Sequence, residues 1–143
     1  MKYPTKLSDA IHILAFIALN SNEDLTSDSI ALSIHTHPSY VRQLMSALKK
    51  ENLLITTQGR AKPALARAAQ EITLFDIYKA IEGDKPLLHQ DTHTNPECGV
   101  GINIQLTIRD VYDIVQEEAQ KAMQKISLQE ILDRYKQKLI NLK

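Results

Sequence analysis

The stretch "HTHPSYVRQLMSALKKENLL", residues 35–54, places Val41, Leu44, Met45 and Leu48 at three- and four-residue spacings, the period of a helix with one apolar face. Pro38 suits the first turn of such a helix, where its missing N–H costs nothing, and Thr36 or His37 can cap it. Ser39, Tyr40, Arg42, Gln43 and Lys49 fall away from the apolar stripe. Just upstream, Thr26, Ser27 and Asp28 offer N-cap oxygens to a short helix carrying Ile30, Ala31 and Ile34. Two helices joined by a three- or four-residue turn, the second basic and polar on its free face, form a helix-turn-helix pattern.

Downstream, "NLLITTQGRAKPALAR" (52–67) reads as two short strands, about 53–57 and 64–67, around a tip containing Gly59, Arg60 and Lys62. A helix-turn-helix followed by a basic hairpin is a winged helix. Lys+Arg and Asp+Glu balance at 17 each, so net charge alone argues against a polyanion partner. Residues 36–67, however, hold six basic side chains against one acidic, the local excess expected of a phosphate-facing surface. Together these features favour DNA binding over simple helix packing.

Around this centre the chain is mostly helical. Leu7, Ala10, Ile11, Leu14, Ile17 and Ala18 set an opening helix, on whose apolar face His12 reads as packed or partly buried. "EITLFDIYKAIEGD" (71–84) starts another, with Thr73 as N-cap, Asp76 three residues on and Gly83 as its stop. Ile108, Val111, Val115, Ala119, Ala122 and Ile126 form a stripe about five turns long, widened by Tyr112, Ile114 and Met123. A helix this long with two apolar seams is expected to pack on a second subunit, the alternative being its own domain. A last helix opens on a capping box, Ser127 to Glu130, and carries Leu128, Ile131, Leu132, Tyr135 and Leu139. It either closes over the dimer or lies on the surface.

A length of 143 residues, 43% hydrophobic and 24% charged, fits one domain with an extension. The longest apolar run, residues 10–19, is about half the ~20 needed to span a bilayer. With no signal-peptide pattern at the N-terminus, the cytoplasm is the default compartment, and no membrane partner is expected. The single cysteine excludes an internal disulfide and leaves a free thiol or an intermolecular bridge.

The opening "MKYPTKLSDAIHILAFIAL", the segment "PSYVRQLMSALKKENLL", the wing "GRAKPALAR" and the phrase "EITLFDIYKAIEG" together resemble the bacterial Rrf-type winged-helix regulators, which include the iron–sulfur regulator IscR, the nitric-oxide sensor NsrR and the cysteine-metabolism repressor CymR. The resemblance covers about residues 1–125. It implies a mainly α fold with a small β wing: a winged helix-turn-helix domain over 1–83, a sensory or linker loop over 84–104, and a dimerisation helix and C-terminal helix over 105–143. It also implies a cytoplasmic homodimeric repressor on a palindromic double-stranded DNA operator. Thr36, Pro38, Ser39, Tyr40, Arg42 and Gln43 would then lie at the start of the recognition helix, with Arg60 and Lys62 in or beside the minor groove. Arg42 can read guanine and Gln43 adenine, while Ser39 and Tyr40 suit phosphate. The dimer seam would be Ile108, Val111, Val115, Ala119, Ala122 and Ile126. The wing departs from the family pattern: Lys62 and Pro63 stand where many members have paired glycines.

The loop "LHQDTHTNPECGVG" (87–100) sits where cluster-bearing members hold three cysteines, and this chain offers only Cys98. No iron–sulfur cluster or other cofactor is therefore expected. A mononuclear metal on His89, His93 and Cys98 is chemically allowed but matches no strong spacing. Redox sensing by Cys98 is the better functional reading, against an inert loop cysteine. An enzyme is not expected: Gly99-x-Gly101 lacks the third glycine and preceding strand of a dinucleotide loop, and no nucleophile, base and orienter assemble.

Overall fold

A computed structural model describes residues 5–20, 25–56, 62–91 and 93–142. Six helices run in order: α1 (Lys6–Leu19), α2 (Ser27–Ile34), α3 (Pro38–Lys50), α4 (Leu74–Glu82), α5 (Gly99–Gln124) and α6 (Leu128–Asn141). Between α3 and α4 lie strands β1 (Leu54–Thr56) and β2 (Pro63–Leu65), antiparallel with Leu54 opposite Leu65 and Thr56 opposite Pro63. A short 3-10 turn, Ala69–Glu71, leads into α4.

The helix-turn-helix follows from its ends. Thr26 caps α2 by accepting the Ser29 N–H at 3.2 Å. The helix then stops on a left-handed His35 (φ 66), and Thr36 N–H reaches back to the Ala31 carbonyl at 2.9 Å. This reversal satisfies an otherwise orphaned carbonyl and turns the chain within three residues into Pro38 at the start of α3. The same closure recurs after α3: Asn52 is left-handed (φ 58) and Leu53 N–H bonds the Leu48 carbonyl at 3.0 Å. That bond ties Leu53 to the helix end, so β1 begins one residue later than its sequence suggests. His37 holds the N-cap position of α3 without a side-chain bond.

Val41, Leu44 and Leu48 of α3 join Ala10, Ile13, Leu14 and Ile17 of α1 and Ile77 of α4 in one core. Leu128 and Leu132 of α6 belong to this same core. The last helix therefore folds back onto the winged helix, an arrangement its periodicity left open. The docking is fixed by main chain: Leu74 N–H bonds the Ile126 carbonyl at 2.8 Å and Leu128 N–H bonds the Ile72 carbonyl at 2.7 Å. Both helix starts are capped beside this bridge. Thr73 and Asp76 exchange two 3.0 Å bonds, and Ser127 accepts from Glu130 N–H at 3.1 Å.

Three details differ from the sequence expectation. His12 is exposed rather than packed, with Nε2 2.9 Å from Ser33 Oγ, because it stands at the rim between α1 and α2. The long helix starts at Gly99, so the last six residues of the 84–104 segment are helical. It ends at Gln124, which leaves Ile126 outside it, in the bridge to α4.

Candidate nucleic-acid interface and adjoining loop

The α3 face away from the core carries Ser39, Arg42, Gln43, Ser46, Lys49 and Lys50, all exposed. They are exposed because the opposite face supplies the buried Val41, Leu44 and Leu48. Arg42 Nη1 donates to Ser27 Oγ at 3.3 Å, which lays its guanidinium toward the start of α2. Lys49 Nζ donates to Thr56 Oγ1 at 2.8 Å and links α3 to β1. Arg42, Ser46, Lys49 and Thr56 border one open groove of about 520 Å³ between α2, α3 and the wing. Lys49 is placed by its sequence on the polar face but not among the site residues, although it lies seven residues, two turns, beyond Arg42, and Thr56 carries no sequence signal of its own.

Thr36 and Pro38 are half-buried at the turn, and Lys62 is exposed at the start of β2. Arg60, expected in the wing tip, lies outside the described residues. Tyr40 is turned toward α1. Its ring packs against the core and its hydroxyl donates to Asp9 Oδ2 of α1 at 2.9 Å. Burial and the neighbouring Asp9 carboxylate push its pKa up to about 12. Tyr40 thus fixes α3 on α1, and its hydroxyl is engaged within the fold rather than free for a phosphate.

Below this domain, the loop after α4 is tied to α5. Gly83 turns with φ 61, and the buried Tyr78 donates its hydroxyl to the Lys85 carbonyl. Gln116 of α5 completes the joint: its Oε1 accepts Leu87 N–H at 2.9 Å, and its Nε2 donates to the Tyr78 hydroxyl at 3.2 Å. Further along, Gln90 Nε2 donates to the Gln105 carbonyl. The α5 side turned to the loop is therefore polar. The other side exposes Ile104, Val111, Ile114 and Val115, with Ile108 and Ala119 half-buried and Ala122 exposed.

Cys98 is exposed at the N-cap of α5, with Sγ accepting Gly101 N–H at 3.4 Å. His93 Nδ1 lies 3.4 Å from Asp91 Oδ1, both exposed. His89 instead borders a cavity against α5 with Arg109 and Asp113. Among the described residues no three His, Cys, Asp or Glu side chains converge to hold a metal ion, so His89, His93 and Cys98 are not brought together. An iron–sulfur cluster, which needs several thiolates, does not fit a chain with one cysteine.

Comparison with known proteins agrees with this architecture. YwnA of Bacillus subtilis (strain 168), provisionally named an HTH-type transcriptional regulator, is 30% identical over 129 residues, covering 90% of this chain and 96% of that protein. A crystal structure provisionally titled a DNA-binding protein superposes with a TM-score of 0.73 at 29% identity, over 89% of this chain and 98% of the other. IscR of T. potens shares the fold, with a TM-score of 0.69 at 21% identity over 94% and 88% of the two chains. No helix among the described residues is long and apolar enough to cross a membrane. Residues 3–134 match the Rrf2 family, described as iron-dependent transcriptional regulators, and the chain belongs to that family of winged-helix regulators rather than to an enzyme family.

Proposed function

We propose that this regulator is a homodimeric, cytoplasmic DNA-binding repressor without an iron–sulfur cluster, released from a palindromic operator by a redox or small-molecule signal. The observation that carries the reading is α5, which turns polar side chains to its own loop and apolar ones to solvent. A second copy would cover that seam and set two recognition helices at half-sites roughly 34–36 Å apart. The signal would act by favouring a dimer with a different spacing. In the redox version, a peroxide oxidises the exposed Cys98 thiol to a sulfenic acid with release of water or alcohol. A second thiol, a small one or the partner's, then displaces its hydroxyl as water to form a mixed or intersubunit disulfide.

On a duplex selected from a random-sequence library, Arg42→Ala is expected to weaken binding about 10- to 100-fold and relax preference at one base pair. Lys62→Ala is expected to lower the salt slope by about 1. Unchanged affinity and slope in both variants would mean a winged helix kept for protein interaction instead. Loss of the oxidant response in Cys98→Ser would assign the signal to the thiol, and an unchanged response would remove it.

A further inference from the structure

The joint between loop and α5 is not closely filled. Two adjoining cavities of about 440 and 350 Å³ lie there, and Pro86, Asp113 and Gln116 border both. Volumes in this range suit small molecules. Arg109 and Asp113 stand one turn apart on α5, a spacing at which opposite charges commonly pair. Among the described residues, neither makes an ion pair with the other or with any neighbour. The guanidinium and carboxylate thus border one cavity with their charges unspent. Lys79, Asp84 and Lys85 border the other cavity, where the two lysines face Asp84 and the shared Asp113.

We infer that this paired cavity binds a small zwitterion of the α-amino-acid type, its carboxylate on Arg109 and its ammonium on Asp113. The charges select the class. A dicarboxylate would set one anion against Asp113, and a diamine would set one cation against Arg109. The planar guanidinium suits a carboxylate bidentately. Gln116, held between Tyr78 and Leu87, forms the shared polar wall. A ligand seated there bears on the contact that fixes α5 to the winged helix, so it would change how the two recognition helices are spaced.

This inference rests on the repressor reading and names its small-molecule signal. The test is thermal unfolding of the full chain with each proteinogenic α-amino acid at about 10 mM, beside acetate and methylamine as singly charged controls. At least one amino acid should raise the melting temperature by about 3 °C or more while the controls do not. Arg109→Gln and Asp113→Asn, both at exposed positions, should each abolish the shift while leaving the unliganded melting temperature within about 2 °C. The inference is overturned if no amino acid shifts the melt, if the controls shift it equally, or if the shift survives both substitutions. A chain that binds no duplex at all would sink the repressor reading itself, whereas one that binds duplex but ignores every amino acid would sink this inference alone.

Discussion

Helices α4 and α5 are both amphipathic, yet they resolve their apolar faces in opposite ways. In α4, Ile77 is buried in the core shared with α1 and α3 and Tyr78 is buried where the loop and α5 meet, so the chain covers its own stripe. In α5, Val111 is 52%, Ile114 62% and Val115 45% exposed, while Gln116 and Gln105 bind the loop. A periodic pattern states that a face will be covered, and only tertiary structure states by what. Where the chain itself supplies no cover, the free energy of burial remains available to another surface.

The contrast can be broken from either side. The largest effect should come from the closed side: Leu128→Ala, at a fully buried position where α6 docks, is expected to cost about 2–5 kcal/mol in a denaturant melt. A cost under about 0.5 kcal/mol would make α6 a loose appendage. On the open side, the double change Val111→Asp with Val115→Asp should weaken self-association by roughly two orders of magnitude, about 2.7 kcal/mol, in sedimentation equilibrium. Unaltered association would place any dimer contact elsewhere.

Tyr40→Phe should cost about 1 kcal/mol by removing the bond to Asp9. The pH dependence follows in sign. Because folding raises the Tyr40 pKa from 10.0 to about 12, its contribution is complete below about pH 10 and is lost as pH rises through 12. Parallel melts of the parent and Tyr40→Phe should converge over that interval, and a constant gap would contradict the assignment. The smallest effect is a gain: His35→Gly should stabilise by up to about 1 kcal/mol, since glycine adopts φ 66 without a Cβ penalty. A loss would show that the His35 side chain contributes more than its backbone strain costs.

Much of the winged helix was readable because local chemistry determines it. Thr26, Pro38, Thr73 and Ser127 each mark a helix start, and Gly83 marks a stop. What escaped depended on long-range contacts. The beginning of α5 was hidden because "GVGINIQLT" combines two glycines with β-branched residues, weak helix formers that the capped and tethered helix nonetheless accommodates. The inward turn of Tyr40 needs Asp9, thirty-one residues away, and the joint at Tyr78 needs Gln116, thirty-eight away. Neither pairing leaves a periodic trace. Ile126 fitted the apolar rhythm of the stripe, but its carbonyl is used by α4 and the helix has already ended.

The central claim is that the uncovered seam of α5 pairs two chains so that two recognition helices meet one DNA. The direct measurement is sedimentation equilibrium of the 16.2 kDa chain with a duplex selected from a random-sequence library. The account predicts two chains per duplex, bound at concentrations where Val111→Asp with Val115→Asp leaves the duplex free. A single chain per duplex, or equal binding by that variant, would contradict it.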